Sequence, residues 1–312
     1  MTILVTGGAG YVGTQLVTQL INDPSVSRII VYDNLSRDNY HLFLGHSFVD
    51  KKDKRELKID FVHGELLDTR KLRSVVKEAD AVYHLAAKVV TPFATTDGHA
   101  YEQTNHWGTA ELVYAIEDAP KVQKLVYLSS TSVYGSSTEL VDENTTPNPQ
   151  TIYGISKLRA EDHVRRMFAK IPTYIIRCGN VYGYNKSLRF DAVINRFMFE
   201  ANFKRRISIH GDGKQRRAFI NVQRVGEVLA SLMHTDMPSD TYNLVDKNFQ
   251  ILDIVDVVKA IYFDLEFIFV NRHLGLRELS VNTDLKLFKY LPSWDEDSLL
   301  DEMEEFRTRF SF

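Results

Sequence analysis

A glycine-rich turn near the N-terminus constrains this chain more than any other feature. Residues 3–13 read ILVTGGAGYVG, in which an apolar run is followed by four glycines and then by a segment with the apolar spacing of a helix. Glycines let a backbone approach a pyrophosphate, and the N-terminus of a helix favours an anion. A strand, a glycine turn and a helix in this order therefore predict a dinucleotide site. The residues expected to contact the dinucleotide are Gly7, Gly10, Tyr11 and Val12.

A second apolar strand is expected from Arg28 to Tyr32. Asp33 follows at its C-terminal end and bears on the choice of cofactor. A carboxylate at this position can accept hydrogen bonds from the ribose diol of NAD, and it repels the 2′-phosphate of NADP. Arg37 lies close in sequence, and an arginine can accommodate that phosphate. The sequence therefore favours NAD and leaves NADP as the alternative.

Strands and helices alternate along the first half of the chain. This alternation predicts an α/β fold with a Rossmann-type doubly wound parallel sheet, whose ligands bind beyond the carboxyl ends of the strands. The pattern becomes less regular after about residue 177. We therefore predict an NAD-binding domain at 1–177, a smaller and mainly substrate-binding lobe at 178–312, and a helix at 220–235 that returns to the first domain.

The composition narrows the class of protein. Hydrophobic residues make up 44% and charged residues 25% of the 312 residues, which is typical of a soluble globular protein. The net charge of −3 and the lack of a basic run give no reason to expect nucleic acid as a partner. The chain shows no apolar stretch long enough for a bilayer, no signal peptide and no metal-ligand spacing among its histidines. Its single cysteine, Cys178, fits a reducing compartment, so we expect a cytoplasmic protein without a metal.

Tyr153 and Lys157, in the segment YGISK, form the candidate catalytic pair. Residues four apart on a helix are neighbours in space. An ammonium group beside a phenol favours the phenolate, so we expect the pKa of Tyr153 to fall below its usual value of about 10. Such a phenolate can take a proton from a hydroxyl group near neutral pH. Ser130, at the end of a predicted strand in LSSTSVYG, is placed to share that proton.

Together, these motifs resemble the extended short-chain dehydrogenase/reductase family, specifically its NAD-dependent nucleotide-sugar epimerases and dehydratases. The matching segments follow the family's order over nearly the whole chain and are TGGAGYVG, YDNLS, GELLD, HLAA, LSSTSVYG, YGISK, RCGNVYG and HGDGKQRRAFI. The resemblance implies NAD as the cofactor, Tyr153 as the acid/base, Lys157 as its electrostatic partner and a ribose ligand, and Ser130 as a proton relay.

The resemblance also implies further contacts with the cofactor and the substrate. The additional cofactor contacts are Asn34, Ser36, Glu65 (where the family more often has Asp), Leu66, Leu85, Ala86, Ala87 and Asn105. The substrate contacts are Lys88, Ser130, Thr131, Asn180, Arg217 and an arginine near the C-terminus, Arg277 or alternatively Arg272. The family further implies a homodimer formed by the helices near 105–117 and 153–169. The apolar residues available for that interface are Ala110, Leu112, Val113, Ile116, Leu158 and Val164, and the alternative for them is packing against the sheet.

Thr131 and Ser132 bear on the type of reaction. The 4,6-dehydratases resemble one another in carrying Asp-Glu at these two positions, and elimination of water needs such an acid/base pair. We therefore predict an epimerase that acts at C4 of a UDP-hexose through a transient keto-sugar. The alternatives are a nucleotide-sugar dehydrogenase or ketoreductase with net redox, and a non-catalytic NAD-binding regulatory protein. The intact set of Ser130, Tyr153 and Lys157 argues against the last of these.

Overall fold

A computed structural model of the chain describes residues 1–43, 57–89, 97–271, 276–295 and 297–310. The strands of these residues are β1 (Thr2–Thr6), β2 (Arg28–Asp33), β3 (Lys58–His63), β4 (Ala81–His84), β5 (Lys124–Ser130), β6 (Leu140–Val141), β7 (Thr173–Cys178), β8 (Asn180–Tyr182), β9 (Arg206–His210), β10 (Arg216–Asn221), β11 (Asp240–Leu244), β12 (Lys247–Gln250), β13 (Glu266–Val270) and β14 (Ser280–Val281).

The α-helices of the same residues are α1 (Tyr11–Ile21), α2 (Thr69–Val76), α3 (Gly98–Tyr101), α4 (Gly108–Glu117), α5 (Ile152–Arg165), α6 (Val193–Lys204), α7 (Val222–Ser231), α8 (Ile251–Ile261) and α9 (Leu299–Thr308). A π-helix, Glu102–Trp107, joins α3 to α4.

Seven strands form one parallel sheet, in the order β11-β7-β5-β4-β1-β2-β3. Its inner strands are apolar on both faces, as in the fully buried Ile29, Ile30 and Val31 of β2, because helices cover the sheet on both sides. One hydrophobic core lies on each face of the sheet. The predicted α/β fold with a Rossmann-type doubly wound sheet is confirmed.

The chain leaves this sheet after β7 and later returns to it. The return includes α7, which packs against α1 and accepts a hydrogen bond at the Leu229 carbonyl from the Tyr83 hydroxyl, at 2.8 Å. It also includes β11, which pairs with β7 at the sheet edge and lies beyond the segment 220–235 that we expected to return. A third core, built around Phe197, Phe219 and Phe306, joins α6, α8, α9 and the strands near them. The division into two domains stays a prediction.

Most of the apolar residues that we assigned to a dimer interface are unavailable for it. Five of them are no more than 3% exposed within the single chain, namely Ala110, Leu112, Val113, Ile116 and Val164. Leu158 is partly buried against the core on the other face of the sheet. The assignment of these residues was wrong, because α4 and α5 use their apolar faces to cover the sheet. Among the described residues, no helix combines the length and the apolar character needed to cross a bilayer.

Candidate active site

The glycine turn lies directly against the end of β4. Gly7 has a φ of +72°, and a Cβ at this position would lie 2.6 Å from the backbone nitrogen of Ala86. A Cβ at Gly13 would lie 2.2 Å from the carbonyl oxygen of Gly7. Side chains at these two positions would collide with backbone atoms, so glycine is required here for the turn to pack against the end of β4 and against the first turn of α1.

The start of α1 has the chemistry that a pyrophosphate requires. Gly10 precedes the helix and provides no capping side chain, and the first turn, all of which the structure describes, contains no acidic residue. The first N–H groups of a helix have no partner within it, so those at Tyr11 and Val12 suit an anion. The Tyr11 side chain itself is buried, and its hydroxyl donates to the Gly183 carbonyl at 2.5 Å. The residues of this turn therefore fit a dinucleotide through their backbone.

Asp33 joins the glycine turn to the loop that follows β2. Its carboxylate accepts hydrogen bonds from the backbone N–H groups of Ala9, at 3.0 Å, and Leu35, at 2.8 Å. Burial raises the pKa of this carboxyl group. Arg37 is the residue whose place in the sequence kept NADP as an alternative cofactor. Its guanidinium is 3.4 Å from the Asp191 carboxylate and also donates to the carbonyl of Val89 at 3.4 Å. Its charge is therefore already directed to a carboxylate of the protein.

Four of the residues predicted as further cofactor contacts follow the ends of β2 and β3: Asn34, Ser36, Glu65 and Leu66. The Asn34 amide donates to both carboxylate oxygens of Glu65, at 3.0 and 3.1 Å, and its oxygen accepts from the Ser36 backbone N–H at 3.0 Å. Ser36 is exposed, whereas Leu66 is buried against Gly108. Asn34 and Glu65 thus present polar groups next to the proposed ribose position.

The π-helix places Asn105 under the loop that follows β4. The Asn105 oxygen accepts from the backbone N–H of Lys88 at 2.7 Å, and its nitrogen donates to the Lys88 carbonyl at 2.9 Å and to Ser156 Oγ at 3.0 Å. Asn105 therefore ties the segment containing Leu85, Ala86 and Ala87 to helix α5. The Lys88 side chain is exposed, with its ammonium 3.8 Å from Asp97.

Ser130, Tyr153 and Lys157 meet where β5 ends and α5 begins. The Ser130 side chain lies close enough to Tyr153 to lower the pKa of its phenol, and Ser130 Oγ accepts from the Ser132 N–H at 3.1 Å. Thr151 caps α5 by accepting from the Gly154 N–H at 3.1 Å, which fixes the first turn that holds Tyr153. Thr131 lies buried beside Ser130. The three predicted catalytic side chains are therefore close together.

The charge states of the catalytic pair differ from our expectation. Burial raises the pKa of Tyr153, although Ser130 and the charge of Arg189 act in the opposite direction. Burial also lowers the pKa of Lys157 to about 7, opposed by the negative charge of Glu161. Lys157 is only 2% exposed, and its ammonium lies 4.3 Å from the centre of the Tyr127 ring. The expected lowering of the Tyr153 pKa was wrong for the protein alone, because desolvation by burial outweighs the opposing effects of Ser130 and Arg189.

Two arginines converge near the start of α5. The Arg217 guanidinium donates to the carbonyl of Arg277, and burial, together with the charge of Arg277, lowers the pKa of Arg217 to about 10. Arg277 itself reaches Thr151 Oγ1 at 3.5 Å. Asn180 is exposed nearby and donates to the Ala218 carbonyl at 2.9 Å. Two like charges brought together at a helix N-terminus suit an anionic ligand; Arg272, the alternative to Arg277, lies outside the described residues.

Sequence reasoning missed two charged residues that bear on this site. Glu161 is fully buried on α5, and its spacing of four from Lys157 is a signal that could have found it. Arg189 forms two hydrogen bonds with Asp191, at 3.0 and 2.9 Å, and its positive charge acts on Tyr153. Nothing local in the sequence marks Arg189, because its place depends on the packing of a distant segment.

Known proteins share this fold and this set of motifs. A family model described as the NAD dependent epimerase/dehydratase family matches residues 3–244. The dTDP-D-glucose 4,6-dehydratase of Mus musculus is 30% identical over 264 residues, which cover 83% of this chain and 71% of that protein. An uncharacterized UDP-glucose epimerase of Bacillus subtilis is 30% identical over 268 residues, or 84% of this chain and 82% of its own. The crystal structure of UDP-glucuronic acid 4-epimerase from Bacillus cereus, in complex with UDP-glucuronic acid and NAD, has a TM-score of 0.85 at 25% identity and covers 99% of this chain and 98% of that one.

The sheet, the glycine turn and the Ser-Tyr-Lys site define an NAD-dependent enzyme of the extended short-chain dehydrogenase/reductase class. Within that class, this chain belongs to the NAD-dependent epimerase/dehydratase family. The predicted family and the predicted cofactor, NAD, are confirmed. The individual cofactor and substrate contacts stay predictions.

Proposed function

We propose that this enzyme is a UDP-hexose 4-epimerase that works through a transient 4-keto-sugar. The observation that carries the proposal is the Ser130–Tyr153 pair beside Thr131 and Ser132. The pair can remove and return a hydroxyl proton, whereas Thr131 and Ser132 lack the carboxyl groups that elimination of water requires. Relatives of both kinds, epimerases and dehydratases, match this chain. The side chains at 131 and 132 favour the epimerase.

The protein's own residues would move one proton and orient the sugar. Tyr153 takes the proton of the sugar hydroxyl, and Ser130 beside it is placed to relay that proton. Lys157, as an ammonium ion, favours the phenolate and binds the cofactor ribose. A bound NAD would supply reversible hydride transfer at the sugar carbon, and the positive charge of its nicotinamide ring would also favour the phenolate. Tyr153 then returns its proton to the sugar oxygen.

The paired arginines would hold the diphosphate while the sugar turns. Arg217 and Arg277 lie together at the start of α5, and Asn180 is beside them. A diphosphate would neutralise both guanidinium groups with charge-assisted hydrogen bonds. In this arrangement the anchored part of the substrate is its nucleotide, so either face of the keto-sugar can be presented for reduction.

Incubation with nucleotide sugars tests the proposed reaction. We expect the enzyme to interconvert at least one pair among UDP-glucose, UDP-N-acetylglucosamine, UDP-glucuronate and their C4 epimers, as followed by NMR. Because hydride returns to the sugar, we expect no added NADH to be needed and no net change in nicotinamide absorbance. Stoichiometric NADH formation would instead identify a dehydrogenase, and a stable 4-keto-6-deoxy product would identify a dehydratase. If the enzyme altered none of these nucleotide sugars, that result would also contradict the proposal.

We further propose a cytoplasmic homodimer formed by the outer faces of α4, α5 and the π-helix. Trp107 supports this surface, since it is 52% exposed and stacks on His106 at 4.7 Å, which in turn contacts His163 of α5 at 3.1 Å. Sedimentation at micromolar concentration should give twice the 35.9 kDa mass of the chain. Trp107→Glu should give a monomer, whereas Phe263→Glu, at an aromatic residue 95% exposed elsewhere, should stay dimeric. A wild-type monomer would exclude the dimer.

A further inference from the structure

The carboxylate of Glu161 is fully buried and joins three elements of the site. Its Oε1 accepts hydrogen bonds from Ser129 Oγ at 2.6 Å and from Arg177 Nε at 3.0 Å. Its Oε2 accepts from Arg177 Nη2 at 2.7 Å and from Arg165 Nη2 at 2.6 Å. Ser129 on β5 lies opposite Arg177 on β7 and immediately precedes Ser130. One carboxylate on α5 therefore holds together the ends of β5 and β7.

Glu161 also lies in line with the catalytic pair. Tyr153, Lys157 and Glu161 are spaced by four residues along α5, so they follow one another on the same side of the helix. The groups that face Lys157 from other elements are His84 on β4, whose pKa is lowered to about 3 by burial, and Tyr127 on β5, whose pKa is raised by burial. Both are uncharged near neutral pH, as is Tyr153 in the protein alone. Glu161 is therefore the charged group that acts on Lys157.

The cations around Glu161 differ in how easily they lose a proton. Burial disfavours the charge of Arg177, but its hydrogen bonds with Glu161 outweigh burial and raise its pKa. An arginine stays charged in a protein in any case. Lys157 has a pKa already close to neutrality. If the negative charge of Glu161 were removed, Lys157 would be the cation that gives up its proton.

We propose that Glu161 is a positioning residue for the epimerisation: it fixes the Ser130 end of β5 against α5 and supplies the negative charge that keeps Lys157 an ammonium ion. The inference rests on the proposed function in treating Tyr153 and Lys157 as the catalytic pair. Glu161 itself touches neither the cofactor nor the sugar. Its effect on the reaction passes through Ser130 and Lys157.

A titration of Lys157 tests this role in two variants, one that removes a negative charge near Lys157 and one that removes a positive charge. The protein is labelled with 13C at the lysine ε-carbon and loaded with NAD, and the Lys157 resonance is assigned by its loss in Lys157→Met. The midpoint is the pH at which the Lys157 resonance has completed half of its change. Glu161→Gln removes the negative charge, so this midpoint should fall by roughly one pH unit or more. Arg165→Gln removes a partly exposed positive charge from the same carboxylate, so the midpoint should rise. Glu161→Asp keeps the charge and should restore most of the wild-type midpoint.

Kinetics provide the second readout and a matched control. In Glu161→Gln, kcat should decline at a lower pH than in the wild type, while the KM for the nucleotide sugar stays within about twofold because Arg217 and Arg277 are untouched. Glu117→Gln is the control, since Glu117 also binds two cations, Arg166 and Lys170, but does so at the surface. That variant should leave both the Lys157 midpoint and the pH profile of kcat unchanged.

Several results would overturn the proposal. An unchanged Lys157 midpoint in Glu161→Gln, or a uniform loss of kcat at every pH without a shift of the midpoint, would leave Glu161 with a structural role only. If Glu161→Gln does not fold, Arg165→Gln decides the question, and a midpoint that does not rise contradicts the proposal. The midpoint is measured without substrate, so this outcome is independent of whether the enzyme epimerises a UDP-sugar.

Discussion

Replacement of Tyr153 by phenylalanine should reduce turnover by roughly 10²–10⁴-fold, which is typical for the loss of a general acid/base. The variant keeps the ring but lacks the hydroxyl that lies beside Ser130 and is proposed to exchange the sugar proton. NAD binding should survive, because the glycine turn and Asp33 are unaffected. Turnover is measured by NMR on the interconverted sugars, and NAD affinity is measured by calorimetric titration.

A tyrosine outside the site provides the control for this substitution. The Tyr242 hydroxyl donates to the Pro238 carbonyl at 2.8 Å, away from the Ser130 end of β5. Tyr242→Phe should therefore leave turnover nearly unchanged and cost only the stability of one hydrogen bond, about 1 kcal/mol. If Tyr153→Phe kept most of the wild-type activity, another group would have to be the acid/base.

Replacement of Asp33 by glycine should weaken NAD binding and narrow the preference for NAD over NADP. The carboxylate is predicted to bind the ribose diol, and it also accepts from the N–H groups of Ala9 and Leu35. Loss of a buried hydrogen-bond partner costs about 1–3 kcal/mol, which corresponds to roughly 5–150-fold in affinity. Titration of each variant with both cofactors measures the affinities and their ratio.

Two further variants separate the charge of Asp33 from its support of the loop. Asp33→Asn keeps an acceptor oxygen but loses the charge, so it should narrow the preference with a smaller loss of NAD affinity than Asp33→Gly. Arg37→Ala should leave the preference unchanged, because Arg37 is directed to Asp191 and to the Val89 carbonyl. Equal affinity of the wild type for NAD and NADP would mean that Asp33 does not govern the pocket.

Local patterns predicted the cofactor half of the fold closely. The helical spacing expected after the glycine turn corresponds to α1, Tyr11–Ile21, and the strand expected from Arg28 to Tyr32 ends one residue later, at Asp33. Apolar runs, glycine turns and helical spacing act over a few residues, so a sequence shows them directly. For the same reason, the spacing of Tyr153 and Lys157 predicted that they lie on one helix.

Features that depend on contacts between distant segments were not predicted. The segment 105–117 was expected to be one helix, but its start belongs to the π-helix Glu102–Trp107. The spacing of apolar residues does not reveal the wider turn of a π-helix. Arg217 and Arg277 meet across sixty positions of the chain, and only the family resemblance, not the local pattern, named both of them as substrate contacts. The raised pKa of Tyr153 reflects desolvation by the folded chain, which the neighbouring lysine in the sequence does not show.

The strand order of the sheet has a consequence for how the chain folds as it is synthesised. Strand β7 is complete at Cys178, but the strand that covers its outer edge, β11, begins only at Asp240. A nascent or truncated chain that stops between them presents an open row of backbone N–H and C=O groups, which other strands can pair with. A chain that stops before residue 222 also lacks α7, the helix that packs against α1. The seven-stranded sheet is therefore complete only after residue 244 has been synthesised.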